Sequence, residues 1–202
     1  MRRSIRAPCL LSFLLGVHLA LGAACRPAST LPMLGPAPEF TLVDQQGSPF
    51  SSADLAGKVV VADFVFTNCT DACPLLSATM SRIRDRLRDA RLLDGKAVLV
   101  SFSVDPEHDT PQVLAGYAAH FGADPANWRF LTGDRAEMED LMVAGFHLGA
   151  PTLGPPSGGG RAEIVHTTRF VVIDPRAQIR WYPRGDEVDV EQVVDEVRRL
   201  AS

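Results

Sequence analysis

Residues 58–67 (KVVVADFVFT) form a nearly continuous apolar run rich in Val and Phe, the composition of a β-strand covered on both faces rather than one with a face in water. Such a strand needs pairing partners at both edges and packed layers above and below it, so this segment alone demands a sheet inside a layered domain. The residues that follow tighten the constraint. FTNCTDACP at 66–74 breaks the strand pattern, and from Pro74 onward Leu75, Leu76, Met80, Ile83 and Leu87 recur with five arginines between positions 82 and 91. That is an amphipathic helix with a period of about 3.6 residues. Two cysteines therefore stand in the turn between a buried strand and the start of a helix.

The rest of the chain builds outward from this unit. Residues 40–44 and 48–50 flank Gln45-Gln46-Gly47 as an opening hairpin. Residues 97–104 (AVLVSFSV) are a second buried strand, and Asp109-Thr110-Pro111 starts a helix over 113–121, with Pro where its missing N–H costs nothing. Residues 129–131 are a short strand and 135–146 a helix. A loop over 149–161 holds Pro151, Pro155 and Pro156 among glycines, a composition through which no regular element is expected. Residues 168–174 and 178–182 flank Pro175-Arg176-Ala177 as a hairpin, and 188–200 closes the chain as a helix. This order predicts an α/β chain with a thioredoxin-like fold, carrying an N-terminal hairpin and an inserted loop before the third main strand.

Residues 1–24 differ from the remainder. Arg2, Arg3 and Arg6 precede an apolar run over 9–24 interrupted only by Ser12 and His18. A spanning helix takes about 18 to 20 apolar residues, and this shorter run ends in small residues, as an export signal does. Cys25 follows Leu21-Gly22-Ala23-Ala24, which is similar to a bacterial lipoprotein cleavage site, although Gly22 stands where such boxes carry Leu. Lipidation at Cys25, ordinary cleavage nearby and an uncleaved membrane anchor all put the domain outside the cytoplasm, the first and last tethering it to the periplasmic face of the membrane. Residues 25–38, with Pro27, Pro32, Pro36 and Pro38, read as a tether that forms neither helix nor sheet, leaving 39–202 as one domain. Without residues 1–24 the chain carries 17 Lys+Arg against 24 Asp+Glu, a formal charge of −7. No basic stripe is present, so nucleic acid is excluded as a partner.

The domain then holds one cysteine pair, Cys69 and Cys73, in an oxidising compartment. Two thiols four residues apart close too short a loop to stabilise much by chain entropy, and an inert buried pair is the plainer alternative. Their position favours chemistry, because the helix N-terminus carries partial positive charge and supports a thiolate as ligand or nucleophile. A thiol-disulfide exchanger ordinarily shows CxxC and a Pro beside the third main strand. Here the spacing is longer, and Ile164-Val165-His166-Thr167-Thr168 brings a histidine to that edge instead. Two thiolates and one imidazole suit copper, as Cu(I) or Cu(II), whereas a structural zinc site wants a fourth ligand. His108, His120 and His147 read as surface or hydrogen-bonded histidines. A peroxidase is the weakest reading, since Thr67 precedes Cys69 by two residues and no Pro leads in.

Several ordered motifs together carry a resemblance. FVFTNCTDACP at 64–74, SVDPEHDTP at 103–111, LTG at 131–133, VH at 165–166 and VVIDP at 171–175 resemble the Sco/SenC family of copper-binding thioredoxin-fold proteins, over about residues 37–200. The resemblance implies that Cys69, Cys73 and His166 bind copper. It implies a role in delivering copper to the CuA site of cytochrome c oxidase, or alternatively in reducing the cysteines of that acceptor, with the CuA-bearing subunit and other copper chaperones as partners. It also implies that Asp105 and Asp109 orient the site or dock the partner; helix capping and loop solvation account for them equally well. Thr70 stands where many members have Pro.

Overall fold

The structure, a computed structural model, describes residues 29–69, 72–156, 162–165 and 167–202. The export segment, Cys25 and His166 lie outside the described residues. In chain order the elements are β1 (Gly35–Pro36), β2 (Thr41–Asp44), β3 (Pro49–Ser51), β4 (Val59–Val65), α1 (Ala72–Asp89), β5 (Ala97–Ser103), α2 (Pro111–His120), β6 (Trp128–Thr132), α3 (Arg135–Asp140), β7 (Thr152–Pro156), β8 (Ala162–Val165), β9 (Val171–Ile173), β10 (Gln178–Trp181) and α4 (Val190–Leu200).

One eight-stranded sheet runs in the order β1-β10-β9-β4-β5-β6-β2-β3. The strand expected to be covered on both faces is at its centre, with every residue of β4 buried. It pairs in parallel with β5, which pairs in parallel with β6, and antiparallel with β9 on its other side. Side chains alternate along β4. Val60, Ala62 and Phe64 enter one core with Phe102, Leu131, Met138, Leu141, Met142 and Phe146. Val59, Val61 and Val65 enter the other, under Leu76, Met80, Ile83 and Leu87 of α1, Leu114 of α2 and Val193, Val194 and Val197 of α4. This is the thioredoxin-like arrangement, and it presents the C-terminal ends of β4 and β5 on the same side as the start of α1.

Helix starts follow their sequence signals. Thr110 Oγ1 accepts Val113 N–H at 3.4 Å with Pro111 just inside α2, and Asp134 and Asp189 cap α3 and α4 by accepting Ala136 N–H and Glu191 N–H.

Four expectations are corrected. The helix expected over 135–146 is α-helical only to Asp140 and continues as a π-helical turn over Leu141–Gly145. There Gly145 meets Pro38, whose ring carbons would lie 2.7 and 2.9 Å from a Cβ. The Pro/Gly segment over 149–161 is not a plain loop, because β7 and β8 pair antiparallel as a separate two-stranded ribbon. The third main strand begins at Val171 rather than 168. Residues read as a free tether are docked: Leu34 N–H donates to Ile179 O at 2.8 Å, β1 pairs with the edge of β10, and Ser29 Oγ donates to Glu196 at 2.8 Å.

Candidate metal centre

Cys69 and Cys73 are both buried thiols, 9% and 0% exposed, and they are not joined as a disulfide. β4 ends at Val65, and Cys69 N–H then donates to Phe66 O at 3.2 Å, which turns the chain back over the strand end. α1 begins at Ala72, so Cys73 lies in its first turn, where backbone N–H groups have no intrahelical acceptor. One of them is used locally: Cys73 N–H donates to Cys69 Sγ at 3.2 Å. The two sulfurs thus share one side of the turn. Cys69 also accepts from the Cys73 thiol, which holds the Cys73 proton well above the ordinary thiol range, with burial and the charge at Asp63 pushing the same way and a backbone bond to Phe66 opposing. In the metal-free dithiol the helix start therefore does not make Cys73 a thiolate.

The loop after β5 lies against the cysteine turn. Asp109 is fully buried, and its carboxylate accepts Thr67 N–H at 3.2 Å on both oxygens, Thr67 Oγ1–H at 2.6 Å and Ser103 Oγ–H at 2.7 Å. Burial pushes its carboxyl above the usual aspartate range, the bonds from Thr67 and Ser103 pull it back, and Asp105 pushes it further up. Asp105 does not reach Thr67 through any such bond. Its carbonyl accepts Asp109 N–H at 2.9 Å, its N–H donates to Ser103 Oγ at 3.1 Å, and its carboxylate lies 3.9 Å from Arg135 of α3.

His166 lies outside the described residues, but its surroundings are described on both sides. β8 ends at Val165. Two residues beyond His166, Thr168 O accepts Gly185 N–H at 2.8 Å. A Cβ on Gly185 would stand 2.6 Å from that oxygen and 2.2 Å from Leu76 Cδ2. Gly185 is therefore closed in between the Thr168 backbone and the side chain of Leu76 in α1, three residues on from Cys73. Among the described residues no group of three or more His, Cys, Asp or Glu side chains converges. His108 is half-buried, His120 ends α2 with its ring 5.0 Å from Phe121, and His147 is exposed.

Sequence reasoning missed four contributors. Gly185 carries no motif, and only the close approach reveals it. Thr67 and Ser103 look like ordinary residues at strand ends. Asp63 is hidden inside the apolar run: it is fully buried, neither carboxylate oxygen finds a hydrogen-bond partner among the described residues, and burial raises its pKa from 3.8 to about 7. Ser101, its register partner on β5, pulls in the other direction without a well-formed hydrogen bond, and its Oγ already accepts Trp128 Nε1–H at 2.9 Å.

A thioredoxin-like fold with a dithiol at the strand-to-helix turn defines a class of thiol-dependent redox and metal-handling proteins. Within that class the SCO1/SenC family model matches residues 34–202, and the chain belongs to this family. It is 31% identical over 165 residues to a SCO1 protein homolog of Bacillus subtilis, covering 81% of each chain. Its fold is similar to a SCO1/SenC family lipoprotein from Bacillus anthracis, with a TM-score of 0.75 and 30% identity over 87% of this chain and 100% of that one. It is also similar to copper-bound ScoI of Bradyrhizobium japonicum, with a TM-score of 0.68 and 25% identity over 82% of this chain and 99% of that one.

Proposed function

We propose that the protein binds copper, as Cu(I) or Cu(II), through Cys69, Cys73 and His166, and passes it to the CuA-bearing subunit of cytochrome c oxidase during assembly of that enzyme. The observation that carries this reading is the buried dithiol at the head of α1, with both sulfurs on one side of the turn. Two soft sulfurs and one imidazole nitrogen are a donor set that suits copper, while zinc would call for a fourth ligand. The copper-bound state of the related ScoI supports it. Copper here is cargo. The thiols release their protons on loading, His166 must be neutral to bind, and ligand exchange hands the ion to the acceptor's sulfurs.

The domain is exported and held at the periplasmic face of the membrane, by a lipid on Cys25 or by an uncleaved anchor; the B. anthracis relative is a lipoprotein. No described helix is long and apolar enough to cross a membrane. Other copper chaperones would load the site.

A second reading has its own observation. The Cys73 thiol is hydrogen-bonded to Cys69, which sets the two sulfurs side by side, and the related BsSco has a disulfide switch. A thiol-disulfide reductase for the acceptor's cysteines needs both thiols and no histidine. Anaerobic copper titration of the reduced protein beside Cys69→Ala, Cys73→Ala and His166→Ala separates the two. Similar loss of affinity in all three supports the copper site. A His166→Ala variant that loses copper yet sustains full oxidase assembly favours the reductase.

A further inference from the structure

We infer that Asp109 is a positioning residue that clamps the turn carrying Cys69 to the end of β5, and so fixes the approach of that sulfur to its metal or disulfide partner. The inference deepens the reading of Cys69 as a ligand and rests on it. Asp109 belongs to neither β4 nor α1, yet three of the four hydrogen bonds to its carboxylate come from Thr67, two residues before Cys69. The fourth comes from Ser103, the last residue of β5. One buried carboxylate therefore ties the strand-to-helix turn to the neighbouring strand. Hydrogen bonds to a charged acceptor are the stronger kind, and removing their donors would leave a buried carboxylate short of partners.

The clamp is itself braced. Asp109 N–H is held by Asp105 O, and the Asp105–Glu107 stretch is held to α3, where Arg135 Nε donates to Glu107 at 2.8 Å. α3 and the π-helical turn after it supply Met138, Leu141 and Met142 to the core in which Cys69 and Cys73 are packed. The cysteine turn is thus tied to the end of β5 by polar bonds and shares an apolar core with α3. Capping of α2 is not the task of Asp109, since Thr110 performs it.

The test uses the full reduced chain and two readouts. Without metal, labelling of Cys69 by iodoacetamide is followed by peptide mass spectrometry at a temperature where circular dichroism shows each variant folded. With metal, Cu(I) affinity is measured by competition against bathocuproine disulfonate. Asp109→Ala should speed labelling about tenfold, because the turn opens locally, and should weaken copper binding about 10- to 100-fold, as loss of outer-sphere support does at other metal sites. Thr67→Val, which keeps the N–H donor and loses only the hydroxyl bond, should fall between Asp109→Ala and the parent; Thr67→Ser should behave as the parent. If Asp109→Ala is unfolded, Thr67→Val carries the test. Parent-like labelling and affinity in a folded Asp109→Ala, or in Thr67→Val, overturns the clamp. A parent protein that takes up no copper overturns the copper reading instead, and the labelling arm still decides the clamp.

Discussion

Asp63 lies in the middle of β4 with no exposed surface, and among the described residues neither of its carboxylate oxygens finds a hydrogen-bond partner. Burial, the first cause, raises its pKa from 3.8 to about 7, and Ser101 offsets only part of the rise. Below pH 3.8 the group is protonated in the folded and unfolded chains alike, and it costs nothing. Between pH 3.8 and about 7 the folded chain keeps a proton that the unfolded chain has released, so stability falls as pH rises, by about 1.4 kcal/mol per pH unit. Above that range the full cost is about 4 kcal/mol. Asp63→Asn removes the titration but buries an amide that lacks partners, at roughly 1–3 kcal/mol independent of pH. The net effect at one pH is therefore ambiguous, but its change with pH is not. From pH 5 to pH 8, the stability of Asp63→Asn relative to the parent should improve by about 3 kcal/mol. Urea unfolding of both reduced, metal-free proteins at the two pH values measures it, with equal m-values as the check on two-state behaviour. A relative change below about 1 kcal/mol would show that Asp63 does not titrate in this window, and that a partner or water satisfies its carboxylate.

Two further outcomes follow from the packing and protonation of the site. Gly185→Ala forces a Cβ to within 2.6 Å of Thr168 O, which is backbone, and 2.2 Å of the buried Leu76; it should lower stability by about 1–3 kcal/mol as overpacking does, and an unchanged urea midpoint would mean that Gly185 is not closed in between Thr168 and Leu76. Because the Cys73 proton is held above the ordinary thiol range, copper must displace it throughout neutral pH, so affinity should rise at least about tenfold per pH unit from pH 6 to pH 8; a flat dependence in chelator competition would exclude Cys73 as a thiolate ligand.

The parts of the fold that sequence revealed are those where one physical requirement dominates. β4, β5 and α1 follow from burial periodicity, and the start of α2 from Thr110 and Pro111. Where two requirements compete, composition misleads. Pro155 and Pro156 argue against a strand inside a sheet, but β7 and β8 form an isolated ribbon in which both members are edges, and its register shifts between Leu153 and Pro156. Gly35–Pro36 likewise becomes a strand only because β10 offers a free edge. The cysteine pair was legible from its place between strand and helix. The grip on it was not, because Thr67, Ser103 and Gly185 act through neighbours remote in sequence.

Asp63 and Asp109 sharpen the point. Each is a fully buried aspartate within six residues of a strand end beside the dithiol, and burial raises the pKa of both. What separates them is the supply of donors. Asp63 shares the face of β4 that carries Val59, Val61 and Val65, inside a strand whose N–H groups are committed to the ladders with β5 and β9. Asp109 sits past the end of β5 and faces Thr67 just past the end of β4, where the N–H is released from the sheet and a hydroxyl accompanies it. A carboxylate at a sheet's terminus can therefore organise a site, whereas the same group a few residues inside the sheet becomes a titrating burden on the fold; the position of the ladder's end, not the residue type or its burial, decides which.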